Sequence, residues 1–223
     1  MQSTIKSFAV MTLFMTYSLM VSAQTNRFSI SLNSLTTNFN YGEVNNALED
    51  YKKNYKGLQA GFAYQVGITP SFSVVPELYF AMKGGILKEG NPLTVNKSTL
   101  RVYSMELPVL ARFHFNKLYL NAGPYAAYNL GGRMKTDGSA TIQETSIKVA
   151  FNSSSKGFER WDLGYQVGAG YNFKMKQSLL TLDVRYGHGL VSISRDVERY
   201  NRMLNISIQV SRPGKKRTKQ TQG

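Results

Sequence analysis

The feature that most constrains this chain is an alternation of apolar side chains with polar or small ones, with a period of two residues. Between residues 58 and 66, for example, Leu58, Phe62 and Tyr64 share one parity, while Gln59 and Gln65 share the other. Such a period indicates a β-strand whose two faces meet different surroundings. The pattern predicts eight strands, at residues 28–35, 58–66, 72–83, 103–113, 118–130, 161–173, 180–187 and 204–211.

The connections between these segments alternate in length. Three are tight turns, at residues 69–71, 116–117 and 174–177, and four are long, at residues 36–55, 85–98, 132–157 and 192–200. Short turns at one rim and long loops at the other are typical of an outer-membrane barrel, whose turns face the periplasm. We therefore predict an all-β fold, an eight-stranded antiparallel transmembrane β-barrel with short periplasmic turns and longer outer loops. A short helix is expected between residues 44 and 55, with Leu48 and Tyr51 on one side.

The amino-terminal residues indicate export. Lys6 precedes an uncharged, mostly apolar run from Phe8 to Val21, and small residues follow up to Ala23. This order matches a secretory signal peptide, and the run is shorter than the roughly 20 residues that a membrane-spanning helix needs. The sequence thus predicts a signal peptide at residues 1–23, a barrel at residues 24–212 and a basic, disordered tail at residues 213–223.

Composition removes several classes of protein. The 223-residue chain contains no cysteine, which excludes a disulfide scaffold, a cysteine-ligated zinc site and a cysteine nucleophile. Its formal net charge is +14, from 27 Lys and Arg against 13 Asp and Glu, so an anionic partner is expected. For an exported chain we predict an envelope lipid as that partner, not a nucleic acid.

A soluble, lipocalin-like barrel is the alternative fold, because it also has eight alternating strands, with the apolar face turned inward. The polar faces here carry mostly Gly, Asn, Gln, Ser and Ala, which suit a crowded lumen better than a solvated exterior. Aromatic side chains also gather at both ends of the apolar faces, as expected at two membrane interfaces. They are Phe80, Tyr103, Tyr128 and Trp161 toward the loops, and Phe72, Phe113, Phe115, Tyr171 and Phe173 toward the turns.

Five charged residues have the parity of the interior face. An eight-stranded lumen is just wide enough to be filled by side chains, and charges buried there need partners. We predict a structural network of ion pairs, with a narrow ion path or gate as the functional alternative. Lys83 is expected nearer the loop rim. The five network residues are Glu77, Glu106, Arg112, Asp183 and Arg185.

Many basic residues fall in or beside the long loops. Lipopolysaccharide phosphates lie at that level of an outer membrane, and Arg or Lys would pair with them. The alternative is that these side chains only solvate the loops. The predicted lipopolysaccharide contacts are Lys88, Arg133, Lys135, Arg160 and Arg199.

The sequence offers little material for catalysis. Its two histidines are His114, beside a turn, and His188, near the loop rim with Ser192 and Ser194 close in sequence and Asp162 on another strand. Nothing in this spacing identifies a nucleophile, base and orienting acid. No metal-ligand spacing and no phosphate-binding glycine loop appears. We predict no catalytic, cofactor-binding or metal-binding residues, no cofactor, and no enzymatic activity.

Three strand segments carry a resemblance to a known family. They are Pro76-Glu77-Leu78-Tyr79 followed by Lys83-Gly84, Glu106-Leu107-Pro108-Val109-Leu110, and Ala122-Gly123-Pro124-Tyr125. Together they resemble the PorT-like family of outer-membrane β-barrel proteins from Bacteroidetes-type bacteria. The resemblance implies an eight-stranded barrel in the cell outer membrane and little biochemistry. Proline removes a ladder hydrogen bond, so the three prolines are expected at bulges or rims.

The leading functional prediction is a non-enzymatic integral outer-membrane protein that displays loops for envelope integrity or for binding a partner or ligand. Its expected partners are outer-membrane lipid, lipopolysaccharide and envelope or secretion proteins. One alternative is an accessory subunit of a protein-secretion or envelope-assembly system. Another is an enzyme that modifies lipid at the barrel rim.

Overall fold

The computed structural model describes residues 26–138, 143–151 and 157–212. The predicted signal peptide at residues 1–23 and the predicted tail at residues 213–223 lie outside this part of the chain. Within it, two 3₁₀ helices, Gly42–Asn45 and Glu49–Tyr51, follow the first of nine strands. The strands are β1 (Arg27–Asn40), β2 (Lys52–Thr69), β3 (Phe72–Leu87), β4 (Ser98–Phe115), β5 (Leu118–Thr136), β6 (Thr145–Lys148), β7 (Trp161–Lys174), β8 (Leu179–Gly189) and β9 (Tyr200–Ser211).

Eight of the described strands close into an antiparallel barrel. Each pairs with its neighbours in the chain, β1 pairs with β9, and β5 pairs with β7. The short strand β6 pairs only with the last four residues of β5, beyond the pair Tyr128–Trp161 at which β7 begins. It therefore forms a hairpin that extends β5 above the wall. The predicted eight-stranded antiparallel barrel is confirmed.

Most strands run further toward the loop end than the alternation predicts. Strand β1 continues to Asn40 and β2 begins at Lys52, so the first loop is shorter than residues 36–55. Outward residues at this end of β1, such as Thr36 and Asn38, are polar, so the alternation fades while backbone pairing continues. In place of one short helix the loop holds the two 3₁₀ helices, with Leu48 between them fully buried.

The expectation that the prolines occupy bulges or rims is wrong. Pro76 pairs with Val109, and the β3–β4 register is unchanged when pairing resumes at Tyr79 and Glu106. Pro108 likewise pairs in register within β4–β5, and Pro124 lies in an uninterrupted β5–β7 ladder. A strand residue donates its N–H toward one neighbour only, so each proline removes one bond without shifting the ladder. The register shifts occur elsewhere, in β2 near residues 54–58 and 67–69 and in β4–β5 near Tyr103.

The two faces of the wall have opposite chemistry. Large apolar side chains such as Ile30, Leu182 and Ile208 are exposed on the outer face, while polar residues between them are buried. Aromatic residues form ring contacts toward both ends of this face. The pairs are Phe80–Tyr103 and Tyr128–Trp161 toward the loops, and Phe72–Phe113 and Tyr171–Phe173 toward the turns.

Candidate functional site

The interior toward the turn end holds a group of ion pairs that we call the arginine cluster: Glu77, Arg112, Asp183 and Arg185, with Tyr119. The Arg185 guanidinium donates to both carboxylate oxygens of Glu77, and its Nε contacts Asp183. The hydroxyl of Tyr119 donates to Asp183. Arg112 lies 4.0 Å from the Tyr119 ring centroid, and its Nη2 is 3.9 Å from Glu77 Oε1. Glu77 therefore forms ion pairs with both arginines, and Arg185 is the closer partner.

A second group, the lysine cluster, lies nearer the loop end and consists of Lys83, Glu106 and Asp162. Lys83 Nζ lies 2.6 Å from Glu106 Oε1 and 3.0 Å from Asp162 Oδ2. The side chains of Gln59 and Asn201 donate to the two carboxylates. All three charged side chains are at most 1% exposed, so each must have a partner of opposite charge.

The lysine cluster adds partners that the predicted network lacks. Glu106 meets Lys83 and no arginine, and Asp162, which the predicted network omits, is the third member of the cluster. Lys83 lies nearer the loop end than the arginine cluster, as expected, and its side chain is buried. The inward parity of Lys83 and Asp162 is readable from the alternation. Their meeting across the lumen depends on the stagger of β3, β4 and β7, which sequence alone does not give.

Interior glycines make room for these large side chains. A methyl group on Gly168 would lie 2.6 Å from Cγ of Arg185, and one on Gly170 would lie 2.2 Å from the Tyr119 hydroxyl. Both distances are shorter than real carbon contacts allow. The alternation of glycine with apolar residues in β7 thus reflects a lumen filled to contact, as expected for eight strands.

Above the lysine cluster, the loops close the barrel with an apolar core that we call the outer cap. Residues from strand ends and from three loops pack together there, and Val149 and Phe151 are among the residues packed against them. Leu48, from the first loop, is fully buried. The cap consists of Phe39, Tyr41, Leu48, Leu87, Leu100, Val102, Phe158 and Ile193. The described interior is therefore charged and paired in its middle, and apolar at its loop end.

Arg199 packs against this cap and does not face the surroundings of the barrel. Its guanidinium pairs with Asp196 and Ser194, and lies over the rings of Tyr41 and Phe158. Burial raises the pKa of Asp196, but hydrogen bonds from Arg199 and Ser194 outweigh burial and leave that pKa below its ordinary value. The expectation that Arg199 contacts lipopolysaccharide is wrong, because the side chain is buried and neutralised by Asp196.

The other four predicted lipopolysaccharide contacts occupy different surroundings. Lys88 is exposed beside the first loop, where its Nζ donates to the backbone oxygen of Asp50. Arg160 is exposed, and its guanidinium lies over the rings of Tyr128 and Phe151. Arg133 and Lys135 are exposed on the part of β5 that pairs with β6. Of the four, Arg133 and Lys135 therefore lie together on one outward surface.

The residues considered for catalysis do not converge. His188 has outward parity and contacts the ring of Tyr165, whereas Asp162 lies inside the barrel beside Lys83. Ser192 donates to the backbone oxygen of Ser194, within the last loop. The wall of the barrel separates the histidine from the carboxylate. This set therefore lacks the hydrogen-bonded nucleophile, base and acid of a hydrolase.

Within residues 26–138, 143–151 and 157–212, no group of His, Cys, Asp and Glu has a geometry that could hold a metal ion. None of the helices in these ranges has the length and apolar character needed to cross a membrane.

Comparison with known proteins gives one family. A family model described as outer membrane protein beta-barrel domain matches residues 22–195. No curated protein matches the sequence.

Several solved structures are similar to the chain. Ail, the attachment invasion locus protein of Yersinia pestis, crystallised with the heparin analogue sucrose octasulfate, is 17% identical, with 83% of this chain and 99% of Ail covered and a TM-score of 0.44. Neisserial surface protein A is 12% identical, with 86% and 98% covered and a TM-score of 0.44. The N-terminal β-barrel domain of Pseudomonas aeruginosa OprF is 10% identical, with 85% and 99% covered and a TM-score of 0.30.

Proposed function

The chain belongs to the outer membrane protein beta-barrel domain family, and from this we propose that it is a non-enzymatic, non-conducting barrel that presents a rigid loop-end surface to binding partners. An outer-membrane location follows from the family. The long loops are assigned to the cell exterior and the tight turns to the periplasm, since this is the usual arrangement of bacterial barrels. Export by cleavage of residues 1–23 is part of the same proposal.

One observation carries the proposal: the lumen is obstructed at successive levels. Glu77 and Lys83 are six residues apart on β3, which corresponds to about 20 Å along the strand. Each belongs to a buried ion-pair cluster, and the outer cap lies beyond them. A solute would have to separate desolvated charge pairs and an apolar core to pass. The parts of such a barrel that can bind partners are then its outer surface and its loops.

The nature of the loops supports a binding role. The outer cap holds the first loop, the segment around Phe158 and the last loop against one another, so they present a preorganised surface instead of mobile ends. A preorganised surface loses less conformational entropy when it binds. We propose outer-membrane glycolipid and envelope proteins as its partners. The three motifs that resemble the PorT-like family lie on the adjacent strands β3, β4 and β5, which supports proposing that family and a Bacteroidetes-type source.

Conductance tests the proposal directly. The purified protein, shown to be folded by its heat-dependent migration on gels, is incorporated into planar lipid bilayers. We expect no discrete current steps at voltages at which an open porin conducts. Reproducible steps from folded protein would contradict the proposal and favour the ion-path alternative.

A mild-detergent pull-down from native membranes separates the remaining alternatives. Copurification of lipopolysaccharide with few proteins agrees with the proposal. A fixed set of envelope proteins in stoichiometric amounts would instead identify an accessory subunit of a secretion or assembly system. Altered lipid A in a deletion strain would indicate a lipid-modifying enzyme and contradict the non-enzymatic assignment.

A further inference from the structure

Three cationic residues lie side by side on adjacent strands at the loop end of the barrel. Arg101 of β4 is the register partner of Arg133 of β5, and Arg133 is in turn the partner of Lys148 of β6. All three side chains are exposed. On β4 the neighbours of Arg101 in sequence, Leu100 and Val102, are buried in the outer cap, so Arg101 faces outward. Register partners share a face, so the three charges form one outward row across three strands.

This row has no neutralising carboxylate among the described residues. The ion pairs found there do not include Arg101, Arg133 or Lys148. The next cations toward the loop tips are different. Lys97 pairs with Asp137, and Lys135 pairs with Asp137 and Glu144. Like charges placed directly opposite one another on a sheet destabilise it, so the unneutralised row favours an external anion.

The aromatic side chains fix the level of the row. Tyr103 lies on the outward face of β4, two residues closer to the apolar band than Arg101. Its ring stacks on Phe80, with the ring centroids 6.3 Å apart. Two residues correspond to about 7 Å along a strand. Aromatic rings mark the boundary between acyl chains and headgroups in membrane barrels. The row therefore lies at the level of the outer-leaflet headgroups.

We propose that Arg101, Arg133 and Lys148 form a binding site for a phosphate group of the outer-leaflet glycolipid. The inference rests on the proposed function, which places the loop end in the outer leaflet. Two guanidinium groups and an ammonium group supply charge-assisted hydrogen bonds to phosphate oxygens. The bound phosphate also removes the repulsion between the three cations. A lipid is favoured over a free anion because the adjacent apolar face of β4 and β5, with Met105 and Leu130 exposed, accepts acyl chains.

The test measures binding of bisphosphorylated lipid A to the folded protein in a zwitterionic detergent, by native mass spectrometry. The variant carries Arg101→Gln, Arg133→Gln and Lys148→Gln. Loss of several charge-assisted hydrogen bonds should weaken binding by about tenfold or more. The control carries Lys117→Gln, Lys174→Gln and Lys176→Gln, which removes three exposed cations at the turn end and should bind like the wild type. Unchanged binding by the first variant, or equal loss by the control, would overturn the site.

Charge reversal at the centre of the row distinguishes a binding role from a purely structural one. Arg133→Glu places a carboxylate between Arg101 and Lys148, so in the absence of glycolipid the folded protein should be at least as stable as the wild type. Lipid A binding should nevertheless be lost. If Arg133→Glu destabilises the lipid-free protein, or retains binding, the proposed site is wrong.

Two further arms identify the source of the phosphate. Dephosphorylated lipid A should bind weakly to the wild type, and inorganic phosphate at millimolar concentration should not displace bisphosphorylated lipid A. Displacement by inorganic phosphate alone would overturn the assignment to a lipid. These measurements use folded protein in detergent and do not involve conductance. A conducting barrel with an intact lipid site would contradict only the proposed function, and a closed barrel without lipid binding would contradict only this inference.

Discussion

Arg185 is the main counter-ion of the buried carboxylates in the arginine cluster. It is fully buried, and it contacts two carboxylates, Glu77 and Asp183. Arg112 cannot replace Arg185 as the close partner of Glu77, because its Nη2 is 3.9 Å from Glu77 Oε1. Its guanidinium contacts Tyr119 and Gln65. Removing Arg185 would leave two buried carboxylates with a single, poorly placed cation.

We therefore expect Arg185→Ala to lower the free energy of unfolding by about 3–5 kcal/mol, the usual cost of breaking a buried ion pair. Leu182→Val, on the outer face of the same strand, is the control and should have a much smaller effect, since an apolar side chain still faces lipid. Urea titration of refolded protein in detergent measures both. A loss for Arg185→Ala no larger than for Leu182→Val would show that the arginine cluster does not stabilise the barrel.

Val95 is a strained residue in the second long loop. Its φ is +58°, in the left-handed region that β-branched residues rarely adopt, and its side chain is 67% exposed. The backbone is held in place by Val95 N–H, which donates to the oxygen of Asn91, and by Gly90 N–H, which donates to the oxygen of Val95. The loop therefore retains a conformation that valine itself disfavours.

Asparagine tolerates this conformation, and little burial is lost when the exposed valine is replaced. Val95→Asn should therefore stabilise the protein by about 1 kcal/mol. The matched control is Val44→Asn, since Val44 is an exposed loop valine without a positive φ. Urea titration again gives the comparison. A destabilised Val95→Asn, or an equal gain in Val44→Asn, would mean that the strain at Val95 carries no free-energy cost.

The sequence predicts which charged side chains face the interior of the barrel, but not which of them meet there. Alternation gives the side of the wall for each residue, and the structure has Glu77, Glu106, Arg112, Asp183 and Arg185 all buried. Alternation does not give the height of one strand relative to another. That height decides that Lys83 of β3 meets Asp162 of β7, which lies three strands away around the barrel. The partners of each charge therefore required the three-dimensional stagger of the strands.

At the scale of single elements, the last long loop, residues 190–199, depends on the Asp196–Arg199 pair. Arg199 N–H also donates to the hydroxyl of Ser192, which closes the loop on itself. Because hydrogen bonds from Arg199 and Ser194 hold the pKa of Asp196 below its ordinary value, the folded loop favours the ionised carboxylate. The stabilisation is present above the pKa of an unfolded aspartate, about 4, and is lost as the pH falls through the lower, folded value.

Hydrogen exchange across residues 192–199 should therefore show constant protection from pH 7 to about pH 5, after correction for the intrinsic rate, and a decrease below about pH 4. Asp196→Asn is the control, and its protection in this loop should be low at every pH. Protection that does not change down to pH 2 would show that the ion pair does not hold the loop.

The orientation of the elements is a second expectation at this scale. The β5–β6 hairpin and its loop carry the exposed Lys148, and the turn between β7 and β8 carries the exposed Lys176. Trypsin added to intact cells should cut at Lys148 and leave Lys176 intact. Permeabilising the outer membrane should then make Lys176 accessible. Cleavage at Lys176 in intact cells, with Lys148 protected, would reverse the assignment of the two rims.

The eight strands of the barrel wall were predictable from the sequence, but their ends were not. The β4–β5 pairing continues from Tyr103 to Ser98, past the last outward apolar residue of β4, because the backbones remain in register as far as Thr136. Outward residues there are Arg101 and Thr99, so no apolar alternation marks the strand. Strand β6 is too short and too exposed to produce a pattern at all. These extensions carry the cationic row, which is why Arg101 was not among the predicted lipid contacts.

At the scale of the whole molecule, a single arrangement explains the alternation, the aromatic pairs and the filled interior. A closed antiparallel sheet satisfies its backbone internally and has no edge strand, so it can lie in a bilayer. Its outer face then contacts lipid, and its inner face contacts only itself. The absence of cysteine in the sequence permits a direct test, since a single introduced cysteine can be labelled at any chosen position.

The most direct test of this account is a spin-label scan of β9 from Leu204 to Val210 in reconstituted bilayers, with collision by molecular oxygen as the readout. Oxygen concentrates in the acyl-chain region, so labels at the outward positions Leu204, Ile206, Ile208 and Val210 should be accessible. Labels at the buried positions Asn205, Ser207 and Gln209 should be protected. The account predicts an accessibility that alternates with a period of two in this phase. Uniform accessibility, or alternation in the opposite phase, would contradict a lipid-embedded barrel with this register.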